Sequence, residues 1–247
     1  MTIQSGPRRC AIIGKVIAFC FFLCFLAGRA QGEIVHAEHY HSFWLWAGVQ
    51  PQPALHHAQE IYLLAGEVTG TTHPRIISQR SATPHIKDVK VWVVYRTQSI
   101  AWNDAIIDEI LSHLESWRKA GNSVEGLQID FDAGTRHIEH YADFLARVRT
   151  RLPTQYHLSV TGLLDWSANG DPKGLQVLAG VVDEVVLQIY QGHHVIPGYG
   201  AYLTKLQDLN VAFKMGLLQG GDWVAPTMLE QNRFFKGYVV FLLNPKL

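Results

Sequence analysis

The stretch EGLQIDFD, which runs from Glu125 to Asp132, is the most informative part of this 247-residue chain. Its apolar residues are Leu127, Ile129 and Phe131, and they alternate with the polar residues Gln128, Asp130 and Asp132. Alternation with a period of two predicts a β-strand whose two faces differ in polarity. Burying three polar side chains on one face costs several kcal/mol unless they are hydrogen bonded. We therefore expect this strand to carry a functional site as well as part of the core.

Seven further short runs, rich in Val, Ile, Leu and aromatic residues, predict strands on either side of this one. The eight runs begin at residues 43, 61, 91, 126, 157, 184, 211 and 237. Near-continuous apolar runs of this kind are typical of parallel strands covered on both faces, and most of the intervals are close to the length of a βα unit. The pattern predicts an α/β protein, a single-domain (β/α)8 TIM-like barrel over residues 42–247. An open doubly wound sheet is the alternative, but no Gly-rich dinucleotide turn occurs in the sequence.

Amphipathic stretches between the strands predict the helices. The first helix has apolar residues at helical spacing, namely Ile106, Ile110, Leu114 and Trp117. Asn103 is placed to cap it, and a second helix with the same spacing is followed by Pro153 as a stop. The remaining crossovers, at residues 53–59, 171–179 and 202–209, predict only one or two turns each.

The polar row of EGLQIDFD is where we expect chemistry. In a barrel the outer face of a strand packs on helices, so this row points into the barrel. Asp132 then lies at the carboxyl end, where barrel enzymes hold their active sites, and Asp130 lies one layer deeper. Two carboxylates at i and i+2 repel each other, which raises the pKa of one of them. A carboxyl group with a raised pKa at the mouth, with a second carboxylate behind it, suits general acid catalysis on sugars. The structural alternative is that Asp132 caps the next helix and Asp130 pairs with a buried Arg or Gln.

Further polar and aromatic residues are predicted at the carboxyl ends of other strands: Trp46, Glu67, Arg96, Asp165, Trp166, Asp222 and Trp223. Gln188 and Tyr190 share one face of the sixth run. Aromatic rings stack on sugars, and acids or Arg bind hydroxyl groups. Together with Gln128, these residues predict a saccharide groove. Glu67, Asp165 and Asp222 are the candidate bases or nucleophiles, while for Gln188 a purely structural role as a buried amide is equally open.

Residues 1–30 are predicted to be a secretory signal peptide. Basic residues precede the run VIAFCFFLCFLAG from Val16, which is too short to span a bilayer comfortably, and small residues follow it. Cleavage after Ala30 would give an exported bacterial protein, periplasmic or secreted, that begins with a flexible His-containing segment at residues 31–41. An uncleaved membrane anchor is the alternative. All three cysteines lie in the leader, so the mature domain has no disulfide or thiolate site.

Composition limits the partners. The chain is 48% hydrophobic, as an ordinary globular protein is, and its zero net charge averages a basic leader with an acidic remainder. Without the four basic residues of the leader, 17 basic residues stand against 21 acidic ones. This sign disfavours nucleic acid and, after cleavage, an anionic membrane. The 13 histidines include no HExxH motif, so we expect no metal and no other cofactor. For His193 and His194, after the sixth strand, a role in substrate binding or pH sensing stays open.

EGLQIDFD resembles the fourth-strand motif of family 18 glycoside hydrolases, the chitinase-like barrels, in which alternating acids end in a catalytic Glu. Asp130 matches the inner Asp of that motif, Asp132 stands where the Glu is expected, and Gln128 replaces another Asp. The stretch from Gln188 to Gln191 is similar to the family's motif for the substrate's acetamido group. Tyr190 matches it, but Gln191 replaces the Asp. The resemblance implies a sugar-cleaving barrel, and the last departure argues against assistance by an N-acetyl group.

The chain is more similar, over nearly all of its mature length, to a bacterial family called domain of unknown function 3142. The matching motifs are FWLWAGV from Phe43, IYLLAGEV from Ile61, LQIDFDA from Leu127, LSVTGLLDW from Leu158 and GYVVF from Gly237. Several separated motifs in the same order make this resemblance specific. It implies an exported barrel related in design to glycosidases.

Two functions therefore remain. The first is an exported carbohydrate-active enzyme, glycoside hydrolase-like, that cleaves a polysaccharide with Asp132 as general acid while Asp130 tunes its pKa. The second is a catalytically silent barrel that binds a polysaccharide or a cell-envelope partner through the same mouth. The sequence predicts neither the sugar nor the oligomeric state.

Overall fold

The computed structural model describes Met1 and residues 32–244, except for 136–137, 205 and 207–208. The predicted signal peptide and its cysteines lie outside the described residues. Residues Gly32–Leu247 form one compact unit, distinct from Met1–Gln31. Within the described part of the chain, no helix is both long enough and apolar enough to cross a membrane.

The predicted barrel is confirmed. The strands are β1 (Glu33–Ile34), β2 (Ser42–Leu45), β3 (Glu60–Thr69), β4 (Arg75–Ser78), β5 (Lys90–Thr97), β6 (Ser123–Asp130), β7 (His157–Leu163), β8 (Glu184–Gln188), β9 (Tyr190–Gln191), β10 (His194–Val195), β11 (Phe213–Leu218), β12 (Asp222–Trp223) and β13 (Phe235–Phe241). Eight of them, β2, β3, β5, β6, β7, β8, β11 and β13, are parallel neighbours. Because β2 pairs with both β13 and β3, the sheet is closed, and the open doubly wound alternative is wrong.

The helices are α1 (Asp104–Lys119), α2 (Ile138–Arg151), α3 (Trp166–Asn169), α4 (Pro172–Ala179), α5 (Gly200–Leu203) and α6 (Thr227–Gln231), with 3-10 turns at Ala37–His39 and Pro53–His57. The side chain of Asn103 caps α1 as predicted, since it accepts a hydrogen bond of 3.0 Å from the backbone N–H of Ile106. Between β3 and β5 the chain departs from the βα repeat, because β4 folds back antiparallel on β3.

The alternation in β6 sorts its side chains as expected. Leu127 and Ile129 are buried in the main core between the strands and the helices, whereas Gln128 and Asp130 point into the barrel. Gly126 is required by close strand packing, because an added Cβ would come within 2.0 Å of the backbone oxygen of His157. The barrel interior also holds a cluster of large side chains, among them Trp44, Tyr62, Trp92 and Phe241.

The amino-terminal end of the barrel interior holds a network of paired charges, which we call the basal network. Lys214 Nζ contacts Glu60 Oε2 at 2.5 Å and Glu184 Oε2 at 2.9 Å. The hydroxyl of Tyr62 accepts from Lys214 at 2.9 Å and donates to Glu184 Oε1 at 2.6 Å. Burial raises the pKa of Glu60, but Lys214 and neighbouring hydrogen bonds lower it by more, so the net shift is downward. These groups therefore compensate one another's charge.

The segment at residues 31–41 was predicted to be flexible, but residues 33–40 pack on the outside of the barrel. β1 pairs antiparallel with β12, and Val35 and Ala37 are buried. The ring of Tyr40 lies edge-on to Tyr238 of β13, with centroids 5.8 Å apart. Apolar side chains at alternate positions anchor the segment and cover part of the outer face of β13.

Candidate active site

A cavity of about 620 Å³ opens at the carboxyl ends of the barrel strands, and we call it the mouth cavity. Seven of the predicted site residues line it: Trp46, Arg96, Asp130, Asp132, Asp165, Gln188 and Tyr190. They come from the ends of five barrel strands, so the closure of the barrel brings together residues that are up to 144 positions apart in the chain, as between Trp46 and Tyr190. This is the end at which (β/α)8 barrels hold their active sites.

Asp130 is the buried carboxylate of this cavity. It is 5% exposed, and its Oδ1 accepts a hydrogen bond of 2.7 Å from Thr161 Oγ1. Arg96 Nε lies 3.9 Å from its Oδ2. Burial raises the pKa of Asp130 to about 6, Thr161 and Arg96 oppose that rise, and the charges of Asp132 and Glu67 add to it. The carboxyl group with the raised pKa is thus the inner one, and the main cause is burial. The sequence predicted instead a raised pKa for the carboxyl group at the mouth, caused by repulsion.

Asp132 follows β6 directly and is exposed in the cavity. It does not cap the next helix, because α2 begins only at Ile138. The other half of the structural alternative does hold, since Asp130 is paired with Arg96. The fourth strand therefore presents one buried and one exposed carboxylate to the same space.

Aromatic rings form one wall of the mouth cavity. The guanidinium carbon of Arg96 lies 5.4 Å from the ring centroid of Trp46, a cation–π distance. Trp46 in turn contacts Trp44. The ring of Tyr190 lies 4.9 Å from that of Phe241, and Gln188 Nε2 is 3.3 Å from the hydroxyl of Tyr190. This wall combines apolar faces with hydrogen-bonding groups, as saccharide sites do.

Asp165 supplies a third carboxylate, from the loop after β7. It stands at the N-cap position of α3 but makes no capping hydrogen bond. Among the described residues its Oδ1 is buried without a hydrogen-bond partner, and burial raises the pKa of Asp165, although a hydrogen bond from its own backbone opposes that rise. An uncompensated carboxyl oxygen at the edge of a cavity is costly in a folded protein and points to a ligand-binding role.

Two predicted site residues are instead structural parts of the barrel wall. Gln128 is fully buried below the cavity, where it accepts from Trp44 Nε1 at 2.7 Å and donates to Ser159 Oγ at 2.9 Å. Trp166 is also fully buried and donates to the backbone oxygen of Ala133 at 2.8 Å. Their polar atoms are occupied, so the prediction that they bind substrate is wrong.

Three others lie away from the mouth cavity. Glu67 lies opposite Ile77 in the β3–β4 hairpin. From this position its charge contributes to the raised pKa of Asp130. Asp222 and Trp223 form β12 beneath the amino-terminal segment, and the Trp223 ring stacks on Tyr199 at 5.3 Å. They follow a strand end as predicted, but the loop carries them to the outside of the barrel.

The residues that close the cavity on the side of β8 were not predicted from the sequence. The lining that was not predicted comprises Leu163, Leu164, Gln191, Gly192, Ile196, Tyr202 and Leu243, with His193, whose role had been left open. Several of these belong to the hairpin of β9 and β10, which turns at Gly192 with φ +59°. A Gly between Tyr-Gln and His-His-Val is a hairpin signal that could have identified this wall.

A larger cavity, of about 910 Å³, lies at the amino-terminal end of the barrel and is lined in part by Lys90, Lys214 and Lys236. We place the site in the smaller cavity, because the basal network uses Lys214 for internal pairing and because barrel enzymes act at the carboxyl end. Among the described residues, no group of three or more His, Cys, Asp or Glu side chains is arranged to hold a metal ion.

Comparison with solved structures defines the class of fold. The chain is similar to a xylanase-α-amylase inhibitor protein, XAIP-III, with a TM-score of 0.53 and 11% identity over 82% of this chain and 93% of that one. It is also similar to a chitinase-like lectin of tamarind, with a TM-score of 0.50 and 13% identity over 82% and 94% of the two chains. A third similar structure is the spore cortex-lytic enzyme SleL of Bacillus cereus, with a TM-score of 0.41 and 16% identity over 65% of this chain and 43% of that enzyme. The first two comparisons, with TM-scores of 0.50 or more, show the same fold, a (β/α)8 barrel.

A family model also matches part of the sequence. Residues 92–212 match the model of the family described as Domain of unknown function (DUF3142). This range includes β5 to β8, and with them Asp130, Asp132 and Asp165. The resemblance to this family is confirmed over that range. No curated protein matches the chain.

Proposed function

We propose that this protein is an exported carbohydrate-active enzyme, glycoside hydrolase-like, that cleaves a polysaccharide in the mouth cavity. The observation that carries the proposal is the convergence of three aspartates, Asp130, Asp132 and Asp165, beside the rings of Trp46 and Tyr190. Carboxyl groups in different environments are what acid and base catalysis on a glycosidic bond requires. The signal-like leader in the sequence supports export to the periplasm or the medium.

Asp132 is the group that we assign to protonate the glycosidic oxygen, because it is the exposed carboxyl of the pair on the fourth strand. Asp130 lies behind it with a pKa of about 6. In mildly acidic solution Asp130 therefore carries a proton, while Arg96 and Thr161 hold its carboxyl group in place behind Asp132. Asp132 has a shorter side chain than the Glu of family 18 enzymes, so the substrate must come closer to the strand end.

Asp165 is the carboxylate that we assign to the opposite role. It comes from the next strand end and its Oδ1 is free to accept a proton. When the bond between the anomeric carbon and the leaving oxygen breaks, the oxygen takes the proton of Asp132. Water adds to the anomeric carbon and gives a proton to Asp165. This assignment needs no acetamido group on the substrate, in agreement with Gln191 at the place of the family 18 Asp.

The test is release of oligosaccharides by the purified protein from acidic, neutral and N-acetylated polysaccharides. We expect release from at least one polymer, and loss of at least about a hundredfold in kcat for Asp132→Asn, the size typical of removing a general acid. Asp222→Asn is the matched control, since Asp222 is an exposed aspartate outside the cavity. Equal turnover by Asp132→Asn and the unmodified protein would refute the assignment.

A second function, a silent barrel that binds a polysaccharide or a cell-envelope partner, is favoured by one observation: Asp132 and Gln191 differ from the catalytic pattern of family 18. Two structurally similar proteins are named an inhibitor and a lectin. For a silent barrel we expect polysaccharide binding without release, and binding that survives Asp132→Asn. For the enzyme, turnover is lost in that variant while affinity is kept.

A further inference from the structure

A second cavity, of about 520 Å³, adjoins the mouth cavity, and we call it the side cavity. Asp165 lines both cavities. The side cavity is bordered on its other sides by Ile100, Phe131 and Tyr141. It therefore lies directly behind the loop that carries Asp132, within reach of a ligand held in the mouth cavity.

The wall of the side cavity contains two polar atoms that the protein leaves unsatisfied. Tyr141 is 1% exposed, and its hydroxyl has no hydrogen-bond partner. The same is true of Asp165 Oδ1 on the shared wall. Leaving such an atom buried and unpaired costs about 1–3 kcal/mol. Both residues line the same cavity, and two unsatisfied polar atoms on one cavity are what we expect where a ligand group supplies the missing hydrogen bonds.

The charge around the two cavities specifies that ligand group. Three carboxylates line the two cavities, those of Asp130, Asp132 and Asp165. The described residues of the lining include one arginine, Arg96, and no lysine. Arg96 already lies between Asp130 and the ring of Trp46. Within the described part of the chain, Asp132 and Asp165 make no ion pair, and burial raises the pKa of Asp165, as expected for a carboxylate without a cation.

We propose that the side cavity is a subsite for the protonated amino group of an amino sugar, so that the polysaccharide cleaved by this protein carries free amines. An ammonium group donates three hydrogen bonds and brings a positive charge, so it can serve the carboxylate of Asp165 and the hydroxyl oxygen of Tyr141 together. A neutral sugar hydroxyl would satisfy the hydrogen bonds but leave the charge of Asp165 uncompensated. Both atoms are buried in this structure, so the proposal includes an outward shift of the loop at residues 131–135 when the amino group binds. The inference rests on the proposed function, because it names the substrate class of the same site.

The test compares three β-1,4-linked tetrasaccharides of equal length by isothermal titration calorimetry at low ionic strength. They consist of glucosamine, of N-acetylglucosamine and of glucose. We expect the glucosamine tetramer to bind about tenfold more tightly than the other two, the size of one charge-assisted contact. Added salt should reduce this preference, since part of it is Coulombic.

Two variants locate the preference. Asp165→Asn should weaken binding of the glucosamine tetramer about tenfold more than binding of the glucose tetramer, and Tyr141→Phe should reduce the preference by about half as much in free energy. Asp143→Asn is the matched control, because Asp143 is an exposed aspartate on the same helix as Tyr141. Thermal melting checks that each variant is folded, and removing the unpaired hydroxyl of Tyr141 should not lower stability.

The outcomes separate this inference from the proposed function. Equal binding of the three tetramers, or equal weakening of all three in Asp165→Asn, would overturn the amino-group subsite and leave the saccharide site standing. Failure of every tetramer to bind, together with no release from any polysaccharide, would overturn both. Tight binding of the N-acetylated tetramer alone would replace the free amine by an acetamido group.

Discussion

The two ends of the barrel interior treat charge in opposite ways. In the basal network, Lys214 lies between Glu60 and Glu184, and Tyr62 is bonded to both Lys214 and Glu184. At the mouth, Asp130 accepts one hydrogen bond from Thr161 and has a contact of 3.9 Å to Arg96, and Asp165 has a buried oxygen without a partner among the described residues. Both ends hold acids inside the barrel, but only the basal end pairs every acid with a cation at short distance.

This difference is what we expect if the basal end serves stability and the mouth serves the proposed binding. A buried charge that is fully paired fixes the packing of the strands around it. A buried charge that is left unpaired lowers stability, and a fold keeps it where a ligand or a reaction uses it. The contrast predicts that substitutions at the basal network lower stability and that substitutions at the mouth raise stability or leave it unchanged.

The largest effect is expected for Lys214→Met in the basal network. Methionine fills a similar volume but leaves Glu60 and Glu184 buried together without a cation, which costs about 3–5 kcal/mol of unfolding free energy. Urea denaturation at neutral pH measures this cost. The deficit should shrink as the pH falls below about 4.3, because Lys214 lowers the pKa of Glu60 in the unmodified protein, and that stabilisation is lost when Glu60 takes up a proton.

Lys236→Met is the matched control for that substitution. Lys236 is exposed and donates only to the backbone oxygen of Arg233, so we expect a change within about 0.5 kcal/mol. If Lys214→Met were as mild as this control, the basal network would not be the stabilising end of the barrel.

The next effect has the opposite sign and concerns Asp130→Asn at the mouth. Because burial raises the pKa of Asp130 to about 6 in the folded protein, the folded state holds its proton more tightly than the unfolded chain does. Stability is then greatest below about pH 3.9 and falls as pH rises to about 6, by about 3 kcal/mol in total. Asparagine has no ionisable carboxyl group, so the variant does not show this loss of stability at higher pH.

The measurement is the difference in unfolding free energy between Asp130→Asn and the unmodified protein at two pH values. It should grow by about 1.5 kcal/mol in favour of the variant between about pH 5 and pH 8, and any constant effect of the amide cancels. Asp143→Asn, an exposed substitution, should show no such growth. If the difference in unfolding free energy for Asp130→Asn did not depend on pH, burial would not raise the pKa of the Asp130 carboxyl group.

Gln128 marks the border between the two ends and carries the third prediction. Gln128→Leu keeps the volume of the side chain but leaves Trp44 Nε1 without its acceptor. We expect a loss of about 2 kcal/mol in stability, with oligosaccharide binding unchanged because Gln128 does not line the cavity. Calorimetric melting and a titration with any bound oligosaccharide measure the two quantities. A large loss of affinity at constant stability would return Gln128 to the site.

The sequence predicted the barrel well because strand alternation and strand spacing are local patterns. The polar face of β6 and the cap of α1 by Asn103 followed from periods of two and of 3.6 residues. What no local pattern supplies is the register between strands. Asp130 meets Arg96 and Gln128 meets Ser159 because these residues are register partners on neighbouring strands.

The same limit explains the errors at the site. Trp46 and Trp223 both follow a strand end, but Trp46 turns into the mouth cavity while Trp223 is covered from outside, against Tyr199 and Tyr238. Repulsion between Asp130 and Asp132 was predicted from their spacing. The larger effect, burial of Asp130, depends on how deep the barrel places it.

The smallest expected effect separates binding from stability at the rim of the mouth. Trp46 is only partly buried and contacts Trp44 and Arg96 by its ring. Trp46→Ala should cost about 1 kcal/mol of oligosaccharide affinity, roughly fivefold in Kd, because a sugar ring loses its stacking surface. Stability should fall by less than that, since the exposed part of the ring contributes nothing to the core. Titration and thermal melting of the same sample decide the point. If stability fell by several kcal/mol while affinity held, Trp46 would belong with the packed interior, and the aromatic wall of the site would be reduced to Tyr190.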